Sequence, residues 1–346
     1  AGDDYLSMKY VDAVDMFHDM EALAAILRRK REKRGAIDFD VDEAKVIVNE
    51  NGKPIDIVAR ERGISEHIIE EFMLCANETV AEHFKWLELP MIYRVHETPE
   101  VKKLRQFVAI ARPLGYTIHG SLNPVNPNEL AKIVTQSAGR PEHKIITTLL
   151  LRSMQKARYD AQCLGHFGLA DDYYTHFTSP IRRYPDLLVH RMIRTFLFEQ
   201  NYERVDDYEK QMPEWAEHCS LRERVAVDTE YEVEDMKKAE YMMDHIGETY
   251  MGVVSSVTSF GFFVELPNTI EGLVHISTLL DDHYIYDERN MMLIGTRSGR
   301  KIRMADEIKV TVTSASKLEK TIDFECAGFS KKKRRIANTQ RKRRRR

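Results

Sequence analysis

Two adjacent guanidinium groups, Arg182 and Arg183, sit between Pro180 and Pro185 in the run Tyr174-Thr175-His176-Phe177-Thr178-Ser179-Pro180-Ile181-Arg182-Arg183-Tyr184-Pro185-Asp186-Leu187-Leu188-Val189-His190-Arg191. Forked, charged donors of this kind suit a phosphate, which they grip through paired hydrogen bonds. The residue before a proline avoids the helical region, so Ser179 is held extended or in a turn. Pro185 fits a first helical turn, where its missing N–H costs nothing. Leu188, Met192 and Phe196 follow at helical spacing, and Leu187, Ile193 and Leu197 widen the stripe. Both arginines therefore lie on a rigid loop that feeds a helix N-terminus, where free N–H groups and the positive dipole end add to their charge. The same forks could instead pair with carboxylates of the fold.

Other candidate chemistry is thinner. Glu70 and Glu71 stand together beside the apolar stripe of a predicted helix. They could bind ribose hydroxyls or a metal, or form a solvated face. His166 and His176 lie among aromatic residues, where a ligand or base competes with a hydrogen-bonded structural histidine. Glu223, Asp228, Glu230, Glu232, Glu234 and Asp235 read as the acidic face of a long helix. There is no phosphate loop of the Gly-x-x-x-x-Gly-Lys-Ser/Thr type, no His-Glu-x-x-His and no Gly-x-Ser-x-Gly. Phosphodiester hydrolysis calls for carboxylates holding a metal as well as cations on the phosphate. The pairs Asp38/Asp40 and Asp171-Asp172 lack the density of such a cluster, so no metal ligand is assigned within the chain.

The elements that position these groups follow from periodicity. The 346 residues, 43% hydrophobic and 31% charged, suffice for one large and one small domain. No apolar run approaches the roughly 20 residues of a membrane span, and no signal-peptide pattern opens the chain. Cys75, Cys163, Cys219 and Cys326 form no Cys-x-x-Cys pair and read as free thiols of a reducing, cytoplasmic compartment. An amphipathic helix through Phe17, Met20, Leu23, Ala24 and Leu27 turns basic and stops at Gly35. Strands are predicted near Ala44–Val48 and Ile55–Ala59, about the turn signal Asn49–Pro54. Ser65 is placed as the cap of a helix whose buried stripe is Ile68, Ile69, Phe72, Met73, Ala76 and Val80. Further helices are expected over Pro99–Ala111, Pro127–Ser137 and Pro141–Ala157, each opened by a proline. A polar stretch, Tyr202–Pro213, then links to the long helix Glu214–Asp244. From Gly247 the period becomes strand-like, with strands at Thr249–Val257, Phe260–Leu266, Glu271–Ile276, Ile308–Ser314 and Thr321–Cys326. Five strands in so short a stretch indicate a small closed sheet of the OB type. Alternation puts either Phe262 or Phe263 inside it, and Asp281–Arg300 lengthens one connection.

Charge is uneven. Eleven of the 52 basic residues lie between Lys331 and Arg346, a segment with no acid, so the body carries 41 basic against 55 acidic residues, a net of −14. Such a tail on such a body points to a polyanionic partner.

The arginine run resembles the signature of the ribonuclease II/ribonuclease R family of exoribonucleases, and Gly165-His166-Phe167-Gly168-Leu169 before it resembles the family's preceding segment. Gly252-Val253-Val254, Phe260–Leu266 and Glu271–Ser277 resemble the S1-type RNA-binding domain. The resemblance implies an α+β fold: a helix-rich, partial RNB catalytic domain over 1–244, then a five-stranded antiparallel OB-fold barrel of S1 type over 245–328. Residues 329–346 would be a basic, disordered tail. It implies processive 3′-to-5′ hydrolysis of RNA to nucleoside 5′-monophosphates. Arg182 would grip the scissile phosphate or its transition state, with Arg183 supporting it or binding the neighbouring phosphate. Glu230 aligns with a glutamate that projects toward the catalytic centre. Glu71, in a matching helix block with Glu70 as its competitor, would approach the ribose. Tyr184 would orient the loop against RNA, and Phe260, Phe263 and His275 would form a base-stacking platform. Mg²⁺ would be held by aspartates upstream of Ala1, leaving this chain alone inactive. Expected partners are single-stranded or structured RNA, and the ribosome or other RNA-rich assemblies through the tail, with no membrane. The competing reading is a non-catalytic single-stranded RNA-binding protein.

Overall fold

A computed structural model describes residues 4–39, 43–60, 62–140, 142–288 and 290–329. Asp40, Pro141 and the basic tail from Lys331 lie outside the described residues. The chain divides into two units: residues up to 42 together with 60–231, and residues 43–59 together with those from 232 onward.

In the first unit, α1 (Asp4–Lys9) leads into α2 (Val11–Arg34). Gly35 ends α2 in the left-handed region at φ 106°, and its N–H caps Arg31 O and Glu32 O. Helix α3 (Ile64–Trp86) is capped by Gly63, not Ser65. The Glu66 carboxylate already accepts the Gly63 N–H at 3.0 Å and the Ser65 hydroxyl at 2.8 Å, so Ser65 falls inside the first turn. The buried face of α3 is also displaced from the apolar stripe. It consists of Glu71, Asn77, Ala81 and Phe84, while Ile69 stays about half exposed at 51%. Two polar side chains thus occupy interior positions, and both hold the site together.

The expected helices α4 (Val101–Ala111), α5 (Pro127–Ser137) and α6 (His143–Ser153) form, and Leu149, Leu150 and Met154 are buried. A two-stranded antiparallel ribbon, β3 (Tyr93–Val95) with β4 (Arg158–Asp160), runs beside the signature. Helix α7 (Tyr184–Met192) begins one residue before Pro185, which sits in its first turn, and passes into a π-helical stretch over Ile193–Phe198. Leu188, Met192 and Phe196 are buried with Phe84, Ile92 and Tyr208 in the core of this unit. The segment expected as a linker before Glu214 is helical. Helix α8 runs from Val205 to Met243 with Pro213 inside it. A mid-helix proline costs about 3 kcal/mol. Burial of Tyr208, Met212, Ala216 and Cys219 on one face outweighs that cost.

In the second unit, β5 (Thr249–Thr258), β6 (Gly261–Glu265), β7 (Glu271–His275), β11 (Glu307–Ser316) and β12 (Thr321–Cys326) close into a barrel in the order β11-β12-β7-β6-β5. β12 and β7 pair in parallel; the other neighbours are antiparallel. Phe262, Val264, Val310, Val312 and Phe324 point inward and are buried. The long connection is not a plain loop. It builds a three-stranded antiparallel sheet from β8 (Tyr284–Asp287), β9 (Met292–Gly295) and β10 (Lys301–Ile302). Phe329, expected in the tail, is buried under the Arg300 guanidinium at 3.7 Å and beside Tyr284. The hairpin of β1 (Ala44–Val48) and β2 (Pro54–Ala59) belongs to this unit despite its place in the sequence. Lys237 on α8 donates to Gly52 O, and Lys53 pairs with Asp244.

Candidate functional site

The signature loop is fastened from several sides. Thr175 Oγ1 donates to Ile92 O at 2.6 Å, and the Arg94 N–H donates to Tyr174 O at 2.9 Å. From α3, Asn77 is 2% exposed; its amide donates to the Tyr174 hydroxyl at 3.1 Å, and its Oδ1 accepts the Phe177 N–H at 3.0 Å. From α7, His190 stacks on Phe177 with ring centroids 4.5 Å apart and donates through Nε2 to Phe177 O at 3.0 Å. Past Pro180, the fully buried Asp186 accepts on Oδ1 from the Ser179 N–H at 2.7 Å and from Arg183 Nη2 at 2.8 Å. Ser179 O in turn accepts from the N–H groups of Arg182 and Arg183.

This anchoring separates the two arginines. Arg183 is committed to Asp186, the structural use that its chemistry left open. Arg182 is exposed and makes no side-chain hydrogen bond or ion pair with any described residue. It projects beside Ile181, which is fully exposed. A free guanidinium on a loop this well fastened is preorganised for an anion. Thr178 Oγ1, Arg183 Nε and Asp186 Oδ2 are buried at the same loop without a protein partner, an unusual concentration for groups that are normally satisfied. Tyr184 is half exposed; Arg191 lies over its ring at 5.5 Å and donates to its hydroxyl at 3.2 Å.

The remaining candidates of this unit distribute as follows. Glu230 is exposed on α8 and has no partner among the described residues. Glu71 sits badly for direct contact with RNA. It is 5% exposed and ion-paired to Arg31, Oε1 lying 2.7 Å from Nη2 and 3.2 Å from Nε. The shifted burial of α3 turned this carboxylate inward; Glu70 is the more exposed of the two. His176 lies 2.8 Å from the Tyr159 hydroxyl, and burial with the charges of Arg183 and Arg94 drives its pKa far below the ordinary range. Burial, together with His96 and Arg94, lowers His166 to about 3. Both are neutral packing groups. Asn77, which holds the loop at two points, belongs to no motif; an amide on an otherwise apolar helix face is the signal that marks it.

Among the described residues no three His, Cys, Asp or Glu side chains converge on a point that could hold a metal ion. The carboxylates of Asp171 and Glu78 are bridged by Arg34. Burial and Glu78 raise Asp171 to about 6. A carboxylate pair neutralised in this way does not fit a divalent ion.

On the barrel, Phe262 is the buried member of its pair and Phe263 faces outward. Phe260 is exposed and meets Phe263 edge to face, centroids 6.2 Å apart. His275 is exposed opposite Gly261, and Leu273 lies opposite Phe263. Three of the expected platform residues thus share one outer face of β6 and β7. Gly261 is required there: with φ +155°, a Cβ would lie 2.2 Å from Val274 O.

A helical unit presenting an anchored, free arginine, joined to an OB-type barrel with an outward aromatic face, defines a nucleic-acid-handling protein. Comparison with known proteins specifies which. Residues 4–199 match the RNB domain and residues 244–327 the S1 RNA binding domain. The chain belongs to the RNB family. Ribonuclease R 1 of Lactococcus lactis is 51% identical over 94% of this chain and 40% of the relative. Ribonuclease R of Thermotoga maritima is 48% identical over 93% of this chain and 46% of the relative. A solved structure titled Mycoplasma genitalium RNase R in complex with ribose methylated single-stranded RNA superposes with a TM-score of 0.85 at 29% identity, covering 94% of this chain and 50% of that one. The chain therefore spans half or less of the length of these relatives. No helix among the described residues is long and apolar enough to cross a membrane. Enzymes of the RNB family generally depend on a divalent metal ion.

Proposed function

We propose that the chain is part of a 3′-to-5′ exoribonuclease of the ribonuclease R type, which hydrolyses RNA processively to nucleoside 5′-monophosphates. The observation that carries this reading is Arg182, exposed and unpaired on a loop whose every flank is fastened. Arg182 grips the scissile phosphate. Arg183 holds the turn through Asp186 and bears on the phosphate through the charge it adds. Tyr184, braced by Arg191, offers a face beside that phosphate. Glu230 supplies a free carboxylate. Glu71 acts through the α2–α3 packing that carries Asn77 to the loop. On the barrel, Phe260, Phe263 and His275 stack on bases without sequence preference, each stack contributing roughly 1–3 kcal/mol. Mg²⁺, held by carboxylates outside these residues, would supply the activated water. The basic tail would add contacts to structured RNA or the ribosome. Four unpaired thiols suit a reducing, cytoplasmic setting.

The test is Arg182→Ala in a chimera joining the upstream half of the Lactococcus lactis relative to this chain. Losing one preorganised donor to a transition-state charge costs about 3–4 kcal/mol, so kcat should fall by roughly 10²–10³. RNA affinity should change by less than about threefold, since salt-dependent contacts elsewhere dominate it. Equal losses in both would sink the catalytic assignment. The absence of a carboxylate cluster among the described residues favours a second reading for the chain by itself: binding without turnover.

A further inference from the structure

A cleft of about 540 Å³ lies in the first unit, on the side of β3 and the 161–164 loop that the signature does not use. Its floor is apolar: Phe84, Leu89, Pro90, Met91 and Met212 line it. Two further features point to an occupant. Tyr93 lines the cleft and is 4% exposed, yet its hydroxyl makes no hydrogen bond with any described residue. That hydroxyl is absent from the buried, unpartnered atoms, so it reaches open space. It is therefore free to donate to a group that enters the cleft. The rim is charged and unpaired. Glu88 and Glu209 carry carboxylates with no ion-pair partner among the described residues, against one lysine, Lys85. Leu164, which lines the cleft, is 48% exposed.

We infer that this cleft is a docking site for a short peptide segment of a partner protein, one that inserts a single apolar side chain and flanks it with lysine or arginine. The floor takes the apolar anchor. Tyr93 donates to a backbone carbonyl of the inserted residue. Glu88 and Glu209 receive the basic neighbours. RNA is the less suitable occupant, because its phosphates would meet two carboxylates for one lysine. The inference does not depend on Arg182 or on catalysis.

The test is selection of displayed random heptapeptides against the purified 346-residue chain, followed by fluorescence titration of the enriched peptide. Peptides with one large apolar residue next to Lys or Arg should be enriched. Affinity should fall about tenfold in Glu88→Lys/Glu209→Lys, two exposed positions where substitution leaves the core intact. It should fall further in Met212→Trp, which fills the floor. Cys163 gives an independent readout: its half-buried thiol lines the cleft, and bound peptide should slow its alkylation, read by peptide mass spectrometry, while Cys75 is unaffected. No enrichment overturns the proposal, as does enrichment of acidic peptides. Equal binding by the charge-reversed chain also overturns it. If instead a labelled oligouridylate loses affinity in the charge-reversed or filled chain and protects Cys163, the cleft is an RNA site and the peptide proposal is wrong.

Discussion

Asp186 should be the residue on which the signature loop depends most. It is wholly buried, and one oxygen serves both the Ser179 N–H at 2.7 Å and Arg183 Nη2 at 2.8 Å. Asp186→Ala removes a charge-assisted anchor on each side of Pro180 and strands the guanidinium of Arg183, whose side chain is only 20% exposed. Breaking a buried pair by deleting one partner costs about 3–5 kcal/mol, mostly as uncompensated charge. Asp186→Asn preserves volume and the oxygen that accepts from Ser179, and loses only the charge. A lost charge-assisted bond there should cost about 1–2 kcal/mol. Both tryptophans, Trp86 and Trp215, lie in the first unit, so their fluorescence during urea unfolding reports that unit and not the barrel. With a slope of roughly 2–3 kcal/mol/M, the alanine variant should shift the midpoint by more than about 1 M, and asparagine by about half that or less. An alanine variant within about 0.3 M of the parent at unchanged slope would refute the reasoning. So would asparagine as damaging as alanine.

Four further outcomes are expected. Phe263→Ala should weaken single-stranded RNA binding by about 1–3 kcal/mol in fluorescence anisotropy, with the barrel still folded. Phe262→Ala should instead destabilise the barrel by roughly 3–5 kcal/mol, because that ring is fully buried. Glu71→Leu should destabilise the first unit by about 3–5 kcal/mol, and adding Arg31→Met should recover most of the loss in urea melts. Stability should also fall below pH 6.5. His166 and His176 have folded pKa values well below their unfolded ones, so the unfolded chain binds more protons under pH 6.5. Each such histidine then removes about 1.4 kcal/mol per pH unit, an effect that persists down to the folded values. Asp171, raised to about 6, opposes this with one proton of the other sign. Urea midpoints at pH 7.0 and 5.0 measure the sum, and His166→Gln should flatten the slope.

The positions of most elements were legible because periodicity and punctuation agree locally. Gly35, the Asn49–Pro54 turn, the helix-opening prolines and the five barrel strands all act through backbone preferences of neighbouring residues. What escaped was set by distant packing. The face of α3 that turns inward is decided by Arg31, 40 residues away, and by Tyr174 and Phe177, about 100 residues away. Helix α8 continues through Pro213 because Tyr208 and Met212 have a core to enter. The strands β8 to β10 are short, and their polar surroundings hide the alternation. At the site, residue type could not divide the labour between Arg182 and Arg183. Only the register of α7, which places Asp186 under Arg183, does so.

The most direct measurement is a time course of the purified chain with 5′-labelled single-stranded RNA and magnesium, run beside a binding titration on the same RNA. On the proposed reading, in which Arg182 grips phosphate, Phe260 and Phe263 stack on bases and the metal-holding carboxylates lie outside these residues, the expected result is salt-dependent binding without shortening of the RNA. Stepwise shortening from the 3′ end would contradict that account and redirect attention to Asp171, Asp172 and Glu230. Failure to bind at all would leave the arginine loop and the aromatic face as features of the fold alone.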